Sequence, residues 1–153
     1  MTNSHLQSAE IILLALAGIS ILAFWLELPH SPMAMMVSVG LVAIFYFYLS
    51  IFLFRGSQPF SKRASPKESP SVLATIGTIL GGAGLGLVVA GFGLEVVNWM
   101  DATGISTAGC ILIMVGGLAI RVGYNHDRNV IRPILLRLSF GLSLGIFTLF
   151  YFT

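Results

Sequence analysis

Five apolar runs, each about as long as a bilayer is thick, divide this chain at prolines and charges. The first, residues 11–28, reads IILLALAGISILAFWLEL and stops at Pro29. The second, 33–54, carries no charge and stops at Arg55-Gly56. A third opens at Val72 and stays uncharged to Glu95, and a fourth runs from Ile105 to Ile120 before Arg121. The last continues from Ile134 to Thr153 with Arg137 as its single charge. A hydrocarbon core of about 30 Å takes roughly 20 helical residues at a rise of 1.5 Å each. Arginines at helix ends can snorkel to the headgroups, so Arg121 and Arg137 do not break the pattern.

Composition closes off the alternative of a greasy soluble domain. Only 9% of the 153 residues are charged and 56% are hydrophobic, with a mean hydropathy of +0.94. Soluble domains carry about 25% charged residues, and a chain this short has too much surface to hide such a composition. The expected fold is all-α, a polytopic integral membrane helical bundle forming one transmembrane domain over 1–153. Its five transmembrane helices are expected at about 11–28, 33–54, 72–97, 104–124 and 133–153, with a flexible cytoplasmic loop over 55–71. The first run has Glu10 and no basic residue ahead of it, and no small-x-small site follows, so it reads as an uncleaved helix rather than a signal peptide. The chain is then multi-pass in a cell or inner membrane, with lipid as its first partner.

The cations give an orientation. Arg55, Lys62, Arg63 and Lys67 belong to the second connection, and Arg121, Arg128, Arg132 and Arg137 surround the fourth, which accounts for all eight. The first connection has none, and the third has Asp101. A five-helix serpentine puts connections two and four on one side, which the positive-inside rule makes cytoplasmic. The N-terminus is therefore expected inside and the C-terminus outside. The basic residues are not interleaved with aromatics, so nucleic acid is not an expected partner.

Residues 77–91, GTILGGAGLGLVVAG, hold six glycines. They match neither the dinucleotide fingerprint nor the Walker loop, and no lysine follows Lys67. At 100° per residue, Gly77, Gly81, Gly84 and Gly91 share about 80° of a helix surface, and Gly82, Gly86 and Gly93 lie opposite. Two thinned faces suit a helix packed between two neighbours, because close backbone approach holds helices together in lipid. A break in the helix around a ligand is the competing reading. Ser106, Gly109, Gly116 and Gly123 align on the fourth helix, and Arg137, Gly141, Gly145 and Thr148 on the fifth. Helices three to five are expected to form a tight sub-bundle, with the aromatic second helix (IFYFYLSIFLF) facing lipid or a partner. The single cysteine, Cys110, reads as a packing residue.

Ionisable groups near the membrane are the functional suspects. Glu27, His30, Glu95 and Asp101 all fall at the outer end and form a candidate ion or proton site, with Glu95 on the same face as Gly77, Gly81 and Gly84. Arg121, Arg128, Arg132 and Arg137 are candidate contacts for lipid headgroups or a partner. No metal-ligand spacing, nucleophile elbow or cofactor motif is present, so no catalytic residue, metal or cofactor is nominated. The expected role is a structural or accessory subunit, joining a homo-oligomer or larger membrane complex through its glycine faces. A small oligomeric transporter or channel protomer with the outer acidic cluster is the first rival. A membrane enzyme working at the cytoplasmic interface with Arg121, His126 and Arg128 is the second.

Overall fold

The computed structural model describes residues 3–55, 71–97, 102–123 and 128–151. They form five helices: α1 (Asn3–Trp25), α2 (Ser31–Arg55), α3 (Val72–Val96), α4 (Thr103–Gly123) and α5 (Arg128–Tyr151). Each contains a stretch long and apolar enough to cross a bilayer. The protein is a multi-pass integral membrane protein built as a helical bundle. The helix ends that carry Arg55, Arg121 and Arg132 are called the basic end below, and the opposite side the far end. Apart from Arg55 and Ser71, the loop expected over 55–71 lies outside the described residues.

Two helix starts differ most from the sequence expectation. α1 begins at Asn3, well before Ile11, and α5 begins at Arg128, before Pro133. Hydropathy marks where the chain turns apolar, whereas a helix begins where backbone bonding begins. The polar segment ahead of Ile11 contains residues that tolerate helix well. Pro133 sits in the second turn of α5, where it forgoes a single backbone bond.

α3 occupies the centre, packed against α2, α4 and α5, while α1 lies along α2. The reason is visible at the glycines. A Cβ on Gly77 would stand 2.7 Å from the Ile120 amide nitrogen, and one on Gly84 would stand 2.8 Å from the Gly109 carbonyl oxygen. The α4 side matches, since a Cβ on Gly116 would meet the Gly81 nitrogen at 2.6 Å. Gly91 faces Ser106. Gly81 and Gly82 are buried as well. At Gly77, Gly84 and Gly116 these are backbone-to-backbone contacts that no larger residue permits. α3 is continuous through all of them, with no break for a ligand.

The opposite stripe of α3 meets α2. Gly86 lies under the Ala43 carbonyl and Phe47, and Gly93 lies against Val39. This corrects the expectation that the second helix faces only lipid or a partner. Its bulky side chains fit where α3 has none, and the aromatic run divides, with Phe45 and Tyr46 buried and Phe47 and Tyr48 exposed. α5 closes the group. Gly141 meets Leu85 and Ile113, and Gly145 meets Cys110 and Val88.

Hydroxyls within the spans mostly bond to their own helices. Ser20, Ser38, Thr78, Thr107, Ser143 and Thr148 each donate to a carbonyl three or four residues earlier. In a medium without water this meets the bonding need of each group locally. At the basic end Ser71 caps α3 by accepting from the Ala74 amide at 3.1 Å, and donates across to the Gly123 carbonyl of α4 at 2.9 Å.

Candidate functional site

Three polar side chains from three helices meet at one depth inside the bundle. Glu10 stands fifteen residues before the end of α1 at Trp25. Tyr46 stands fifteen residues after the start of α2 at Ser31, and Arg137 stands fourteen before the end of α5 at Tyr151. At 1.5 Å per residue each lies about 21–23 Å from the far end of its helix. All three fall within the apolar spans, close to the basic end.

The contacts are specific. Arg137 donates from Nε to Glu10 Oε1 at 3.0 Å and from Nη2 to Glu10 Oε2 at 2.8 Å. This is the forked arrangement that makes arginine–carboxylate pairs both strong and directional. The Tyr46 hydroxyl donates to Glu10 Oε1 at 2.9 Å. Both carboxylate oxygens are therefore engaged, one of them twice. Side-chain exposure is 8% for Glu10 and 24% for Arg137, so the acid is the enclosed partner and the guanidinium opens toward the surface. Phe45 packs edge-on to Tyr46 and completes the wall on α2.

At the far end, among the described residues, Glu95 is engaged at the α3–α4 junction, while Glu27 and His30 lie in the α1–α2 turn. Glu95 is buried, and its Oε1 accepts from the Ala102 amide at 2.9 Å and from the Thr103 hydroxyl at 3.1 Å. A carboxylate from the last turn of α3 thus caps the start of α4, where the helix dipole favours negative charge. Glu27 and His30 lie in the exposed turn between α1 and α2. The Glu27 amide bonds to the Phe24 carbonyl and the Leu28 amide to the Ala23 carbonyl, a Schellman termination that places Glu27 at φ 54°. His30 has φ 63°, and its carbonyl accepts the Ala34 amide at the start of α2. A shallow groove there is lined by Phe24, Trp25, Glu27, Leu28, Ser31 and Pro32. Asp101 lies outside the described residues.

At the basic end Arg121 is exposed in the last turn of α4, and Arg132 is exposed on α5. Arg128 opens α5, and its side chain lies outside the described residues, as does His126. Among the described residues no group of three or more His, Cys, Asp or Glu side chains is placed to hold a metal. One buried polar atom among them has no partner, the Ser106 hydroxyl facing Gly91.

Of the network, the sequence reading selected Arg137 and passed over Glu10 and Tyr46. Glu10 falls just ahead of the apolar run that opens at Ile11, and Tyr46 sits inside an aromatic run, so neither stands out by sequence. The usable signal was depth, since counting back from the far end of each helix brings a carboxylate, a phenol and a guanidinium to one level. No family model, curated protein or solved structure matches the chain.

Proposed function

We propose that this protein is a structural or accessory component of a membrane assembly, a rigid four-helix body with one peripheral helix. The observation that carries this reading is the interlock of α3 with α4, in which glycines of both helices bring the two backbones into contact. Interiors packed this closely are stiff and transmit force as a unit. The glycines of α3, α4 and α5 named above are largely occupied within the chain, so association with a second copy or a larger complex uses the outward apolar faces instead. Gly18 on α1 and Gly40 on α2 have open space around them and lie on those faces.

The serpentine order and the cations at one end support an orientation with the basic end in the cytoplasm, the N-terminus inside and the C-terminus outside. Anionic lipid at that surface adds about 1 kcal/mol of attraction per cation. In a Cys110→Ala background, a cysteine at Ser65 and one at Gly104 label from opposite sides if this topology holds.

The role is tested by extraction from the native membrane in mild detergent. The expected result is a stoichiometric complex, with further copies of the chain or with other membrane subunits. A monomer that carries ion flux in proteoliposomes, lost in Glu95→Gln or Glu10→Gln, overturns the accessory role in favour of transport.

A further inference from the structure

α1 differs from the other helices in how it is attached. Only 17% of its span is buried, against 50% for α3. It packs along α2 and makes no comparable packing with α5. What spans the α1–α5 seam is the forked pair between Glu10 and Arg137, steadied from α2 by the Tyr46 hydroxyl.

We propose that Glu10, Tyr46 and Arg137 form a latch that holds α1 closed against α5, and that losing either charge lets α1 swing away from the seam while the α2–α5 body stays intact. The physical ground is the solvent. In water, separating two apolar helices exposes their faces at a cost, but lipid chains are as apolar as the side chains they replace. The apolar part of the α1–α5 seam therefore resists opening weakly, and the polar network decides its position. An unpaired arginine or carboxylate within a span is expensive, so the pair closes strongly when both charges are present. Arg137 is partly exposed at the surface of the bundle, while Glu10 is enclosed behind it.

The device is tested with spin labels in the full chain, in lipid, in a Cys110→Ala background. One pair, at Ile19 and Ile146, reads the α1–α5 seam, and a second, at Ile79 and Leu118, reads the α3–α4 contact. All four positions are exposed. Glu10→Gln is expected to broaden the seam distance distribution and move it to longer values, leaving the α3–α4 distance unchanged. Arg137→Lys keeps the charge but loses the fork and gives a partial shift, and Tyr46→Phe a smaller one. The charge-exchanged double variant Glu10→Arg with Arg137→Glu is expected to restore a narrow, short distribution. A wild-type seam distance in Glu10→Gln overturns the latch. So does a parallel change across α3–α4, which would make the network a general folding element. Because none of these outcomes depends on what the protein assembles with, a failed latch and a failed accessory role remain distinguishable.

Discussion

The α3–α4 seam and the attachment of α1 solve one problem by opposite means. α3 and α4 meet with almost nothing between their backbones, so the bond is dispersion spread along the whole helix pair. Among the described residues, the polar tie of α1 to α5 is the Glu10–Arg137 pair, joined at the same depth by Tyr46 of α2. The first joint is distributed and intolerant of volume, with one carboxylate, Glu95, at its far end. The second is concentrated, tolerant of volume nearby and sensitive to a single charge. A distributed joint loses its grip when added volume forces the two backbones apart, whereas a concentrated one can fail while everything else stays in place.

Added volume separates the two joints most sharply. Gly116→Leu drives a side chain into the backbone of α3, where even a Cβ lies 2.6 Å from the Gly81 nitrogen. Overpacking in close-packed interiors costs about 1–3 kcal/mol even for added methylenes, and backbone has nowhere to move. The variant is expected to lose the folded body in a reversible detergent-denaturation titration. Gly18→Leu, on the open side of α1, is expected to leave the same titration unchanged. Equal losses in the two variants would remove the contrast between the seams.

Charge reverses the ranking. Glu10→Ala leaves Arg137 without its carboxylate inside the span; breaking a fully buried pair costs about 3–5 kcal/mol, and the partial exposure of Arg137 puts the expected loss below that. The expected loss is concentrated in α1, read as faster hydrogen exchange there than in α3 or α4. Protection lost uniformly across all five helices would show that the network supports the whole bundle.

How far the sequence foretold this contrast depended on what each joint is made of. The α3–α4 seam announces itself, because glycine at helical spacing has few other uses in a membrane span, and Gly77, Gly84, Gly109 and Gly116 all meet across it. The second glycine stripe was equally legible, but its partner was not, since a helix as bulky as α2 gives no sign of fitting a thinned face. The α1 joint was hidden by its boundaries. A helix started at Ile11 puts Glu10 in the headgroups, and one started at Pro133 puts Arg137 in a first turn, so neither looks committed to the other. Three-dimensional convergence of residues 10, 46 and 137 has no local signature, only a shared depth.

Glu95 gives a smaller effect at the far end of the distributed seam. Glu95→Ala removes the acceptor for the Ala102 amide and the Thr103 hydroxyl. Loss of a helix N-cap costs about 1 kcal/mol, with a further fraction from the favourable charge at the helix start. Glu95→Gln keeps an acceptor and should recover part of that loss. A full loss of the fold in Glu95→Gln would mean that its charge does more than cap α4.

The smallest effect has the opposite sign and tests whether the turn at the base of α1 is tuned or merely tolerated. Glu27 closes α1 in a left-handed conformation at φ 54°, where a side chain costs about 1–2 kcal/mol relative to glycine. Glu27→Gly removes that cost but also gives the unfolded chain more freedom, which offsets roughly 0.5–1 kcal/mol. The net expectation is a stability gain of a few tenths of a kcal/mol up to about 1, read in the same titration as the other variants. Because the Glu27 side chain is exposed and the turn bonds are made by backbone, no packing is lost in the exchange. A destabilised Glu27→Gly would require the carboxylate itself to hold the turn or a neighbour, and would return attention to the groove beside Trp25 and Ser31. A stabilised one makes the turn a plain hinge, leaving the Glu10–Arg137 pair to set where α1 rests.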